Sequence, residues 1–92
     1  MAKTNRLLIA VKELLFREWD PLRVNDCDEC LTEYDSYAVT IVHLLGADAD
    51  AYKLTAYLGR FQRESMGLTT LNAERDGRVA QRLRALIENK HH

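Results

Sequence analysis

A chain of 92 residues forms a single domain, which at this size buries only about 60 to 65% of the surface that its unfolded form exposes. Apolar residues make up 47% and charged residues 29%, a balance typical of a soluble globular protein that excludes intrinsic disorder. No apolar run approaches the roughly 18 residues of a membrane helix, which predicts a cytoplasmic protein that does not span a membrane. We treat residues 1–92 as one domain and interpret His91 and His92 as the remnant of a purification tag.

The first predicted helix runs from Asn5 to Trp19, where apolar residues recur every three or four positions. Pro21 ends this helix, because the residue before a proline disfavours the helical conformation. The apolar stripe consists of Leu7, Leu8, Val11, Leu14, Leu15 and Trp19. We expect Trp19, the last residue of the stripe, to be mostly buried.

The second predicted helix runs from Glu33 to Leu45, with Thr32 as its cap and Gly46 as its left-handed end. Tyr34 and Tyr37 are three positions apart and share one face of this helix. We expect Tyr37 to pack inside the domain, whereas the spacing does not decide between packing and a binding role for Tyr34. The segment before this helix, residues 20–32, is irregular and rich in acidic residues, and we call it the acidic loop.

The third predicted helix runs from Ala49 to Met66, with Asp48 as its cap and Gly67 as its end. The fourth runs from Arg75 to Asn89. The short connection before the third helix predicts that the second and third helices are antiparallel neighbours. No segment alternates like a half-buried strand, so the sequence predicts an all-α fold. We expect a compact bundle of about four helices with a long loop between helices one and two.

The acidic residues are concentrated in the middle of the chain, although the net charge is only −1 at pH 7. Residues 24–52 contain no lysine or arginine. The seven acidic residues of this segment are Asp26, Asp28, Glu29, Glu33, Asp35, Asp48 and Asp50. Two explanations are open: the segment is neutralised by the basic flanks within the folded monomer, or it forms a surface that attracts a basic partner.

Several short motifs lie around the ends of the predicted helices. They read Trp19-Asp20-Pro21-Leu22 followed by Val24, Glu33-Tyr34-Asp35-x-Tyr37, Met66-Gly67-Leu68 and Val79-Ala80. Together they resemble a small bacterial all-helical family of unassigned function, whose members typically read W-D-P-I-G-V, D-E-Y-D-x-Y and M-G-L. The resemblance covers roughly residues 19–86. Leu22 and Arg23 replace the usual isoleucine and glycine, and the two cysteines do not belong to the pattern. The resemblance implies a helical fold and leaves function open.

Cys27 and Cys30 have the spacing that lets two sulfurs bind one zinc ion, and His43 is a third candidate ligand. No second cysteine pair or histidine pair completes a tetrahedral site. The same spacing occurs in redox dithiols, but the acidic neighbours of this pair oppose thiolate formation. We therefore interpret the two residues as ordinary reduced cysteines, and keep a metal-binding or redox-responsive protein as the alternative function.

No motif of the chain predicts a catalytic site or a cofactor. Two Asp-x-Asp motifs resemble the start of a calcium loop, but both lack the glycine and glutamate that such a loop needs at positions six and twelve. Neither a nucleophile elbow nor a phosphate loop is present. Arg75, Arg78 and Arg82 share a helical face, but interleaved acidic residues do not favour nucleic-acid binding.

Our leading hypothesis is a non-enzymatic protein-binding module whose partner contacts the acidic loop and the start of helix two. The predicted contact residues are Asp26, Asp28, Glu29, Glu33 and Tyr34. Such a surface fits a basic partner, and one version by analogy is an immunity or antitoxin-type protein that covers a basic active site. The sequence leaves self-association open.

Overall fold

The computed structural model describes residues 2–24, 26–27, 30 and 32–88, with the backbone alone for residues 2–5. These residues form four α-helices and no strand. The helices are α1 (Ala2–Leu14), α2 (Asp35–Gly46), α3 (Ala51–Arg60) and α4 (Ala73–Glu88). The predicted all-α bundle with a long loop between its first two helices is therefore confirmed. None of the described helices is both long enough and apolar enough to span a membrane.

The helices α1 and α3 each continue into a five-residue π-helical turn. The first π turn is Leu15–Trp19 and the second is Phe61–Ser65. In a π turn each N–H bonds a carbonyl five residues back, one residue more than in an α-helix. The two turns complete helical segments that end at Trp19 and Ser65, close to the predicted ends at Trp19 and Met66. Gly67, with φ of 69°, ends the second segment as predicted.

The connection between α2 and α3 differs from the prediction. Gly46 lies within α2 rather than in a left-handed terminal position, and the residue with positive φ is Asp48, at 62°. Asp50 caps α3 in place of Asp48, because its Oδ1 accepts the N–H of Lys53 at 2.8 Å. The sequence could not separate these two aspartates, since either can precede the apolar stripe of α3.

The four helices pack as two pairs that share one core. α1 packs on α2, and α3 packs on α4, which also contacts α1 and the first π turn. The helices α2 and α3 make few contacts, so the predicted antiparallel packing of these two neighbours is not observed. The largest apolar side chains that are almost fully buried are those of Trp19, Tyr34, Leu15, Ile41, Leu54, Leu58 and Leu83. Trp19 is 1% exposed, which confirms its predicted burial.

Successive backbone hydrogen bonds join the described residues of the acidic loop. The N–H of Cys27 donates to Val24, that of Cys30 to Cys27, and that of Glu33 to Cys30, each at 3.0 Å to the carbonyl oxygen. Arg23 has φ of 55°, in the left-handed region that costs a side chain about 1 to 2 kcal/mol. A glycine would adopt this conformation without that cost.

Candidate functional site

The base of the acidic loop is held by two buried side chains, Asp20 and Tyr34. The hydroxyl of Tyr34 donates to Asp20 Oδ1 at 2.7 Å, and the same oxygen accepts the N–H of Val24 at 2.8 Å. The hydroxyl oxygen of Tyr34 accepts the N–H of Leu22 at 3.1 Å. Side chains from both ends of the loop thus satisfy backbone donors at its start, and this fixes the path of the chain.

A second buried carboxylate, Asp76 of α4, lies next to this base. Its Oδ1 accepts the indole N–H of Trp19 at 3.0 Å, and its Oδ2 accepts an amide hydrogen of Gln62 at 2.8 Å. Arg75 donates to Gln62 Oε1 at 3.0 Å, and its Nε lies 3.8 Å from Asp76 Oδ1. Each π turn therefore supplies one hydrogen-bond donor to Asp76, since Trp19 belongs to the first turn and Gln62 to the second.

Aromatic rings join the loop base to the rest of the core. The ring centroid of Trp19 lies 5.4 Å from that of Tyr34 and 6.2 Å from that of Tyr37. Tyr37 in turn lies 4.8 Å from Phe61 of the second π turn. These tilted and edge-on contacts are in the favourable range for aromatic pairs. Tyr37 packs inside the domain as expected, and Tyr34 packs in the same cluster of aromatic rings.

The structure separates the five predicted contact residues into three groups. Asp26 and Glu33 are exposed, and neither forms an ion pair within the described part of the chain. Asp28 and Glu29 lie outside the described residues. Tyr34 is only 2% exposed, so it is a core residue and does not belong to a contact surface. Its hydroxyl donates a hydrogen bond to Asp20, so the polar end of this buried side chain has a partner.

Ion pairs neutralise part of the acidic segment. Lys12 lies 3.5 Å from the carboxylate of Asp35, and Arg84 donates to Asp48 at 2.8 Å. Both contacts join the basic flanks of the sequence to its acidic middle, as expected if these charges neutralise each other within the folded monomer. The carboxylates of Asp26 and Glu33 remain without such contacts among the described residues, which leaves part of the acidic loop and the adjacent Glu33 accessible to a partner.

The two cysteines lie close together on the loop. Cys30 Sγ is 2.7 Å from Cys27 Sγ, and both residues are half-buried. His43 lies in the last turn of α2, where it is exposed. Within the described ranges, no three side chains of histidine, cysteine, aspartate or glutamate converge on a point that could hold a metal ion.

Sequence reasoning missed three buried polar residues: Asp20, Gln62 and Asp76. A signal was present for two of them. Gln62 follows the buried residues of α3 at a spacing of four, and Asp76 precedes those of α4 at a spacing of three. Polar side chains in phase with an apolar stripe are buried with it, and buried polar groups need partners. The sequence could not show which partners they find.

The ionisation of Tyr34 gives a test of the loop base. Burial, and then donation to Asp20, raise the pKa of its hydroxyl well above the usual value of about 10. The unfolded chain loses this proton near pH 10 and the folded protein does not. The contribution of the Tyr34 hydroxyl to the free energy of unfolding is therefore complete below about pH 10. It decreases by about 1.4 kcal/mol per pH unit as the pH rises toward the raised pKa.

We expect Tyr34→Phe to lose less stability than the wild type when the pH is raised from about 9 to about 11. Urea denaturation at the two pH values measures this difference in slope, which does not depend on the baseline stability of the variant. A parallel loss in both proteins would show that Tyr34 titrates normally in the folded state.

Comparison with known proteins gives no significant match to a protein family, to a curated protein or to a solved structure. The function has therefore to be inferred from the geometry and charge of the loop itself.

Proposed function

We propose that this protein is a non-enzymatic binding module for a basic protein partner, which contacts the acidic loop and the start of α2. One observation carries the proposal: Asp26 in the acidic loop and Glu33 beside it are exposed, without ion pairs in the described part of the chain, next to a loop base that buried hydrogen bonds hold in place. A contact surface next to a fixed loop base loses less conformational freedom on binding than one without such support, so more of the interaction energy is available to the complex.

The charge of the loop supports a basic partner rather than a neutral one. Exposed carboxylates that are not neutralised within the monomer attract a positively charged surface at long range and raise its association rate. They also disfavour acidic partners, because like charges brought together at an interface are destabilising. A protein that covers a basic active site, as immunity and antitoxin-type proteins do, matches this chemistry.

The contact surface would extend from the loop along the outer face of α2. A standard interface buries about 800 Å² on each partner, which is roughly an eighth of the 6212 Å² surface of this chain. Ser36, Val39 and His43 are exposed at helical spacing on α2, and Val39 supplies an apolar contact with 46% of its surface accessible.

Neutralising the loop tests this proposal. Partners retained by immobilised wild-type protein are identified by mass spectrometry, and the association rate of a purified basic partner is then measured. We expect the double variant Asp26→Asn, Glu33→Gln to associate about tenfold more slowly at low ionic strength. Added salt should slow the wild type toward the rate of the variant. The fold should survive, because exposed charges contribute little to stability.

A matched control removes exposed acidic charges elsewhere. Glu13→Gln with Glu74→Gln neutralises two exposed glutamates on α1 and α4, and we expect it to leave the association rate nearly unchanged. Equal rates for the wild type and the Asp26→Asn, Glu33→Gln variant, at every salt concentration, would refute binding through this acidic surface.

A second candidate, a redox-responsive protein, is favoured by the 2.7 Å separation of the Cys27 and Cys30 sulfurs. When this pair is oxidised, the two thiols release two protons and two electrons and form one disulfide. A small disulfide such as oxidised glutathione accepts them and becomes two thiols. The metal-binding version of this alternative has less support, because the described residues provide no third ligand beside the pair.

Redox titration against glutathione tests the second candidate. We expect the oxidised wild type to lose two hydrogen atoms in mass and two sites for thiol labelling, while Cys27→Ser with Cys30→Ser shows neither change. Recovery of glutathione adducts alone, without the internal disulfide, would reject the dithiol proposal. Stoichiometric zinc in protein without the terminal histidines, lost in the double variant, would instead support a metal site.

A further inference from the structure

A cavity of about 490 Å³ opens between the start of the acidic loop, the second π turn and the segment that leads into α4. Its polar lining includes Arg23, Gln62, Thr70, Asn72 and Arg75. This volume lies in the range of small-molecule sites, which is about 300 to 1,000 Å³. The cavity contains neither Asp26 nor Glu33, so it is separate from the surface proposed for a protein partner.

The charge of the lining is positive. It contains two arginines and no aspartate or glutamate. Arg23 is exposed and forms no ion pair among the described residues. The carboxylate nearest to Arg75 is that of Asp76, which lies outside the lining and already accepts hydrogen bonds from Trp19 and Gln62. The guanidinium groups therefore have donors available for an anion that enters the cavity.

Arg75 is held in a fixed position at the wall of the cavity. Its Nη2 donates to Gln62 Oε1 at 3.0 Å, and its Nε is buried without a hydrogen-bond acceptor in the described part of the chain. Gln62, which is fully buried, is itself fixed by Asp76 and by the carbonyl of Leu58. A guanidinium that is already positioned binds an oxyanion at a lower entropic cost than a mobile surface arginine.

Arg23 reaches the cavity from a backbone conformation that favours glycine. Its φ of 55° lies in the left-handed region, where side chains other than glycine are uncommon. Such conformations are concentrated at functional sites, where surrounding structure maintains them. Here the N–H of Arg23 donates to the carbonyl of Asp20 at 3.1 Å, which places the arginine at the edge of the fixed loop base.

The remaining lining groups fit a ligand with an anionic end and an apolar body. Asn72 Oδ1 accepts the N–H of Arg75 at 2.9 Å, which leaves its amide hydrogens to donate, and Thr70 supplies a hydroxyl. Leu68 and Leu71 form an apolar part of the wall. Two guanidinium groups match a dianion better than a single carboxylate, because each can donate two parallel hydrogen bonds to phosphate oxygens.

We propose that this cavity binds a small phosphate monoester, whose phosphate group lies between Arg23 and Arg75 and whose organic part lies against Leu68 and Leu71. The proposal adds a ligand site to the molecule and does not depend on the protein partner proposed above. A variant of the acidic loop that no longer binds its partner should still bind the phosphate ester.

Titration with inorganic phosphate and with phenyl phosphate, at constant ionic strength maintained with chloride, tests the proposal by NMR. We expect saturable changes in the amide signals of Arg23 and of residues 70–73, with phenyl phosphate binding more tightly than phosphate because of the apolar wall. Phenol, which lacks the phosphate group, should not bind. Signal changes spread over all basic surfaces, or no saturable change with either phosphate, would overturn the proposal.

Variants of Arg23 separate binding from folding. We expect Arg23→Gln to raise the dissociation constant of phenyl phosphate at least tenfold. Arg6→Gln, which removes an exposed arginine outside the cavity, should change it less than twofold. Arg23→Gly should weaken binding equally while raising the melting temperature, because glycine relieves the positive φ. Equal effects of the Arg23 and Arg6 variants on binding would show nonspecific attraction and reject the site.

Discussion

Replacement of Trp19 by alanine is expected to lower the free energy of unfolding by about 3 to 5 kcal/mol, the usual loss for a large buried aromatic side chain. The ring is 1% exposed and contacts Tyr34, Tyr37 and Phe61, so its removal leaves a cavity that its neighbours cannot fill. A domain of this size is stable by only about 5 to 15 kcal/mol, and the variant should unfold at a much lower urea concentration.

The variant Trp19→Phe separates packing from hydrogen bonding. Phenylalanine keeps an aromatic ring in the core but cannot donate to Asp76, so we expect it to be intermediate between the wild type and Trp19→Ala. Chemical denaturation followed by far-UV circular dichroism suits all three proteins, because it does not depend on tryptophan fluorescence. An unchanged unfolding midpoint for Trp19→Ala would mean that the ring does not contribute to the core.

Removal of the Asp76 carboxylate is expected to have a similar effect. In Asp76→Ala the indole N–H of Trp19 loses its acceptor, Gln62 loses one of its two, and the guanidinium of Arg75 loses its nearby carboxylate. Breaking a buried charged pair by removing one partner costs about 3 to 5 kcal/mol, because the remaining groups stay buried without compensation. Urea denaturation measures this loss directly.

The neighbouring residue Glu74 supplies a matched control. It lies in the first turn of α4 but is exposed, so Glu74→Ala should change the stability by no more than about 0.5 kcal/mol. A double-mutant cycle between Trp19→Phe and Asp76→Ala then isolates the coupling of the pair. Equal unfolding midpoints for the Asp76 and Glu74 variants would contradict the role given to the buried network.

The helices could be predicted from the sequence because their apolar stripes and end signals are local. Pro21 and Gly67 mark the ends of two helical segments in the structure, as expected. Local signals also explain the errors at Asp48 and Asp50, since two acidic residues before one apolar stripe are equally good caps. The packing of α3 on α4 rather than on α2 depends on the whole core, which no short connection determines.

The centre of the molecule could not be predicted in the same way. Asp76 and Trp19 are separated by 57 positions, and their hydrogen bond exists only because the fold brings the two π turns and α4 together. Tyr34 shows the same limit: its spacing allowed either a core or a surface position, and the choice depended on Asp20 across the loop. The cavity beside Arg75 likewise combines residues from three distant segments.

The two π turns make the molecule tolerant of a one-residue change in chain length at places where a regular helix would be sensitive to it. A π turn contains one residue more than an α turn, and each residue of an α-helix rotates the next side chain by about 100°. Deletion of one residue between Leu15 and Trp19 would let the helix become regular and, because the extra residue of the π turn is then the one removed, would leave the indole facing Asp76. A deletion in a regular α-helical segment would instead rotate every following side chain by about 100°. Relatives of this chain can therefore lack one residue in either turn and still place the same side chains in the core.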